Sequence, residues 1–183
     1  PMEFAEVASM SMELLTFPYL EEFYSSDDAM RARRDHLESL STMLPWIATI
    51  DAFQHWVYLN PTHTRKDREQ YWLHLNDRFG SAIDWTGHEN SLQTMWHRQL
   101  HIFGLPFYYI EYGIAQLGAL QMWMQAKRNP SDALGNYKKG LALGSSQPLP
   151  ALFKAAGLKF SFGPETMGEL MHEVGETIAA SPA

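Results

Sequence analysis

Apolar residues recur at helical spacing in every long segment of this chain, and nowhere do Val, Ile and Thr alternate as a half-buried strand requires. Met2–Thr16 carries Phe4, Val7, Met10 and Leu14 with Glu3, Glu6 and Glu13 between them. Arg65–Phe79 sets Tyr71, Trp72, Leu75 and Phe79 on one face. Phe107–Lys127 is apolar almost all round, the pattern of a helix inside a core. The expected fold is all-α, with no sheet.

Turn residues punctuate the pattern. Pro18 stops the first helix, and Ser25-Ser26-Asp27-Asp28 offers N-caps for a second helix through Met43. Pro45 either opens a new helix through Leu59 or kinks a longer one. Thr62 or Thr64 caps the Arg65–Phe79 helix and Gly80 closes it. Glu89–Phe103 reads as one helix that breaks at Gly104-Leu105-Pro106. Ser131 is expected to cap a short helix to Lys139, and two more are expected over Pro148–Ala156 and Pro164–Ala179. No repeat or low-complexity tract appears.

At 183 residues, 45% hydrophobic and 19% charged, the chain has enough apolar side chains to bury about 70% of its unfolded surface, which excludes disorder. Residues 1–183 are expected to form a single helical segment. Net charge is −7, and the one tight basic cluster, Arg31, Arg33 and Arg34, is flanked by acids. That argues against a nucleic-acid partner. There is no cysteine, so disulfides, thiolate catalysis and Cys-ligated zinc are excluded, and a cytoplasmic location fits. Neither a signal peptide nor an 18-residue apolar span is present, so no membrane partner is expected. Even Ile102–Met124 is interrupted by Glu111, Gln116 and Gln121.

Three patterns suggest a metal. His97 and His101 lie four apart, but Arg98 stands where a zincin carries its general-base Glu. His172-Glu173-Val174-Gly175-Glu176 ends in Glu where the zincin signature ends in His. Glu6 and Glu13 are seven apart on one face of the first helix, with Ser9 between. Each has a plainer reading as a solvated helix face. The block His101–Tyr112 is different. It gathers one His and Tyr108, Tyr109 and Tyr112 around a Gly-x-Pro break, with Tyr108 and Tyr112 expected one turn apart on the following helix. Phenols stay protonated at neutral pH and can donate to a developing oxyanion. Core aromatics with satisfied hydroxyls would look the same.

Two blocks together resemble the oligoendopeptidase F branch of the thimet-oligopeptidase family of zinc metallopeptidases. Pro1-Met2-Glu3-Phe4-Ala5-Glu6-Val7-Ala8-Ser9-Met10-Ser11-Met12-Glu13 is similar to the family helix that follows the HExxH helix. Pro106-Phe107-Tyr108-Tyr109-Ile110-Glu111-Tyr112, preceded by His101, is similar to the family's His/Tyr block. Pro45–Tyr58, between them, also reads like this branch. The resemblance implies a multi-helical segment of a zincin-type peptidase acting on short peptides. It implies Glu6 as the third zinc ligand and Glu13 as the acid orienting a zinc-bound His. His101, Tyr108 and Tyr112 match positions that contact substrate and its tetrahedral intermediate. Tyr109 is a weaker match as a substrate contact, and the choice between Tyr108 and Tyr109 stays open. The same match turns the Glu6 and Glu13 face toward the His101–Tyr112 block.

No HExxH occurs in these 183 residues. The resemblance therefore implies the C-terminal part of a longer zinc enzyme, with these 183 residues alone expected to be inactive and without zinc. Its expected partners are short peptides and the N-terminal part of the same protein. An apolar face beside the first helix is expected, with self-association possible through it. Two other readings stand: a non-catalytic helical binding or scaffold module, and a small metalloprotein built on His97 and His101.

Overall fold

The computed structural model describes residues 1–181, of which 76% are helical, with no strand among them. The α-helices are α1 (Met2–Leu15), α2 (Ser26–Leu59), α3 (Arg65–Phe79), α4 (Glu89–Thr94), α5 (His101–Gly104), α6 (Ile110–Arg128), α7 (Pro130–Leu141), α8 (Leu149–Ala155) and α9 (Pro164–Ala180). Short 3-10 helices cover Phe17–Glu22 and Met95–Arg98. The all-α expectation holds. Two compact units form, one from Pro1–Ser39 with the chain from Ile114 onward, the other from Leu40–Gly113.

In the first unit, α1 buries Phe4, Val7, Ser11 and Leu14, one stripe at helical spacing. Phe4 and Val7 join Ala115 and Met122 of α6, Ala133 and Tyr137 of α7, and Leu152 and Phe153 of α8 in a common core. Close packing is tightest at Gly140, where an added Cβ would lie 2.8 Å from the Ala156 Cβ and 3.0 Å from Phe4 Cζ. The Tyr137 hydroxyl donates to the Ala8 carbonyl at 3.0 Å, tying α7 to α1. Beside this core, α1 exposes Met2 and Met12, and the next turns expose Tyr19, Phe23 and Tyr24.

In the second unit, Trp72 is fully buried against Trp46 and Phe53, with ring centroids 5.7 and 5.2 Å away. Its indole donates to the Leu92 carbonyl at 2.8 Å. Thr64 caps α3 in a reciprocal capping box with Asp67.

Three local expectations change, and the choice left open at Pro45 is decided. Of the two readings of Pro45, the longer helix is the one found: α2 runs through it, because Ile47, Ile50 and Phe53 beyond it are buried and hold the helix against the loss of one N–H. The Glu89–Phe103 helix splits into α4, a 3-10 turn and α5. Trp96 is buried against Phe53 at 5.2 Å, and Gln99 leaves the helical region at φ −87°, ψ 90°. Helix α6 starts at Ile110, after Phe107 at φ 63°, so Tyr108 and Tyr109 precede it. Asn129, not Ser131, caps α7, because Pro130 takes the first helical position, where a missing N–H is harmless.

Candidate functional site

The second unit assembles the His/Tyr block around His101. Helix α5 is a single turn, and the Gly104-Leu105-Pro106 break and Phe107 follow it. Phe107 takes a backbone conformation uncommon for a residue with a side chain. His55 and Tyr58 of α2 hold its ring, with centroids 5.0 and 4.9 Å away. The chain then returns past His101. The His101 ring lies 6.1 Å from Tyr108 in a stacked arrangement, 5.0 Å from Tyr109 and 5.7 Å from Tyr112, edge-on. The Tyr112 hydroxyl and His101 Nε2 are 3.4 Å apart.

On its other side, His101 Nδ1 lies 2.6 Å from Gln99 Nε2. Gln99 Oε1 accepts from the Trp46 indole at 3.2 Å. Sequence reasoning missed both residues. Gln99 stands only two positions before His101, a weak local signal. Trp46 is 53 positions from Gln99 and reads as an ordinary core aromatic.

Burial pushes the Tyr109 phenol above its ordinary range, with the nearby Trp46 indole and the Arg98 charge working the other way. Burial likewise raises Asp51, opposed by His55, whose Nε2 is 3.6 Å from Asp51 Oδ2. Beside the cluster lies a cleft of about 990 Å³ lined by Trp46, Thr49, Asp77, Trp85 and Arg98. The Arg98 guanidinium sits 4.9 Å from the Trp46 ring centroid.

The acids of α1 belong to the first unit. Glu6 is half-buried and accepts from the Ser9 hydroxyl at 3.1 Å. Glu13 is exposed and lies 3.6 Å from His36 Nε2. Among the described residues, no three of His, Cys, Asp and Glu gather to hold a metal. Glu6 therefore offers one carboxylate, with no two further such side chains gathered on it among the described residues. His97 sits on the 3-10 turn and His101 opens α5, so the two share no helix face. His172 is exposed on α9, while Glu173 pairs with Lys127, which is the solvated-face reading of that motif. Among the described residues, no helix is long and apolar enough to cross a membrane.

The peptidase family M3 profile matches residues 1–167. A protein assigned as an oligoendopeptidase F, solved at 3.1 Å, is 32% identical, with a TM-score of 0.85 over 97% of this chain and 32% of its own. PZ peptidase A in complex with an inhibitor is 32% identical, with a TM-score of 0.86 over 95% of this chain and 32% of its own. A protein assigned as an oligoendopeptidase F from Bacillus anthracis is 28% identical, with a TM-score of 0.78 over 98% of this chain and 29% of its own. No curated protein matches. The chain thus spans about a third of the length of these solved relatives. With the profile running through both α1 and the His/Tyr block, the chain belongs to peptidase family M3.

Proposed function

We propose that this chain is the C-terminal part of a zinc metalloendopeptidase that hydrolyses short peptides. The observation that carries this reading is the Tyr112 hydroxyl set 3.4 Å from His101 Nε2, with Tyr108 and Tyr109 packed on the same imidazole. Family M3 is generally zinc-dependent. Glu6 fits one place in a zinc ligand shell, and Glu13 fits an acid that orients a ligand from outside that shell. The remaining ligands and the general base belong to an HExxH segment, absent from these 183 residues.

When bound, the metal supplies an activated water and Lewis acidity. This chain's residues handle the charge that follows. Attack on a peptide carbonyl turns its oxygen into an oxyanion, and Tyr112 Oη donates a hydrogen bond to it. Tyr108, stacked on the same imidazole, is the second phenol of the site, and Tyr109 contacts substrate beside it. His101 orients Tyr112 and binds the substrate. Preorganised donors of this kind contribute because they do not reorganise as charge develops.

The test compares zinc content after dialysis and cleavage of a quenched fluorescent peptide. The 183 residues alone should hold no stoichiometric zinc and cleave nothing. Supplied with the HExxH segment they should do both, and Glu6→Gln should remove both. Stoichiometric zinc and chelator-sensitive turnover from the 183 residues alone would overturn the proposal. Absence of cleavage with the HExxH segment present would favour a binding module.

A further inference from the structure

We propose that Gln99 and Trp46 are positioning residues that hold His101 in its Nε2–H tautomer and so leave the Tyr112 proton free for substrate. The Tyr112 role rests on the peptidase reading above; the tautomer lock does not.

The direction of every bond follows from the first. An indole N–H can only donate. The Trp46 Nε1–H lies 3.2 Å from Gln99 Oε1, so the amide oxygen faces it. Turning the amide over would set its NH2 group against that N–H, donor against donor. With the oxygen fixed, the amide nitrogen is the atom 2.6 Å from His101 Nδ1. That nitrogen also only donates, so Nδ1 accepts and carries no proton. A neutral imidazole then carries its proton on Nε2, the nitrogen facing Tyr112 Oη at 3.4 Å.

The phenol oxygen accepts from that N–H, and its own proton points elsewhere. Trp46, Gln99, His101 and Tyr112 thus form a relay with all donors aimed one way, each bond polarising the next. In the opposite tautomer, Nε2 would accept from the phenol and tie up the proton the oxyanion needs. The separation of 3.4 Å is long for such a bond, as catalytic contacts without substrate often are. The anchor of the relay is fixed by the core: Trp46 packs edge-on to Trp72, with Arg98 over its ring.

The test is two-bond ¹H–¹⁵N correlation spectroscopy of the ¹⁵N-histidine-labelled protein, with His101 assigned among the eight histidines by its loss in His101→Gln. The expected spectrum shows a bare Nδ1 and a protonated Nε2. In Gln99→Glu a carboxylate, which only accepts, faces the ring, and Nδ1 should gain a proton. Trp46→Phe removes the donor that orients the amide and should give a mixture of tautomers. A protonated Nδ1 in the unaltered protein, or an unchanged pattern in Gln99→Glu, would overturn the lock. In the protein supplied with the HExxH segment, Gln99→Leu should lose about 10- to 100-fold in kcat with KM little changed. A rise in KM alone would refute the positioning role. If no version cleaves peptide, the peptidase reading fails while the spectra still decide the tautomer.

Discussion

Replacing Tyr112 by Phe separates catalysis from stability, because its hydroxyl is placed for one and contributes little to the other. The hydroxyl meets His101 Nε2 at 3.4 Å, beyond the usual hydrogen-bond range, and the side chain is only partly buried. A typical intramolecular hydrogen bond contributes about 0.5–1.5 kcal/mol, so this one falls at or below the low end. For a chain of this size, about 0.5 kcal/mol moves Tm by roughly 1–2 °C. An oxyanion donor in the transition state, by contrast, is worth on the order of 100- to 1000-fold in kcat, or about 2.7–4 kcal/mol. The assay is steady-state cleavage of a quenched fluorescent peptide by the protein supplied with its HExxH segment, alongside thermal unfolding of the same samples. The expected result is a kcat loss in that range with Tm almost unmoved. A kcat loss below about tenfold, less than the 1.4 kcal/mol that one decade represents, would refute the oxyanion role. A large loss with a matching fall in Tm would reassign Tyr112 to the core.

Gly140→Ala should destabilise the first unit by about 1–3 kcal/mol, the usual range for overpacking, since the new Cβ meets Ala156 at 2.8 Å; an unchanged or higher denaturant midpoint would refute that contact. Tyr137→Phe should lower stability by about 0.5–1.5 kcal/mol by removing its bond to the Ala8 carbonyl, and the buried phenol, raised above its usual range, should ionise later than exposed tyrosines in an alkaline absorbance titration. Burial raises the Asp51 carboxyl, so its favourable contribution is complete below the unfolded value near 3.8 and is lost as pH rises through the folded value. Asp51→Asn should therefore raise Tm at pH 7 and leave it unchanged near pH 3; a gain that persists undiminished at pH 3 would contradict the sign.

What the sequence discloses tracks how local each determinant is. Thr64, Arg65 and Phe79 bound α3 where capping and periodicity put them, because the Thr64–Asp67 box spans three residues. Phe4, Val7 and Leu14 likewise form the buried stripe of α1. The failures are places where distant packing overrides the local pattern. Burial of Trp96 against Phe53, 43 positions away, breaks a segment whose own spacing is helical. At Pro45 the local pattern allows either a boundary or a longer helix, and the buried residues beyond it decide for the longer helix. His101, Tyr108, Tyr109 and Tyr112 are visible as candidates because they crowd into twelve residues. The Trp46–Gln99 bond is not, since nothing in either residue's neighbourhood marks its partner.

The same break explains how the candidate site exists at all. Had His101–Tyr112 been one helix, Tyr108 would stand seven positions and roughly 10 Å along the axis from His101, and Tyr112 eleven positions and roughly 16 Å. The rings instead lie 6.1 and 5.7 Å from the imidazole. Gly104-Leu105-Pro106 ends α5 after one turn, and Phe107 at φ 63° reverses the chain so that α6 begins at Ile110. A left-handed conformation at a residue with a side chain costs about 1–3 kcal/mol and persists only where its surroundings over-determine it. His55 and Tyr58, packed on the Phe107 ring, supply that restraint. The strained residue thus lies at the bend that brings the single turn of α5 back to the start of α6, and the closeness of His101 to Tyr112 follows from it.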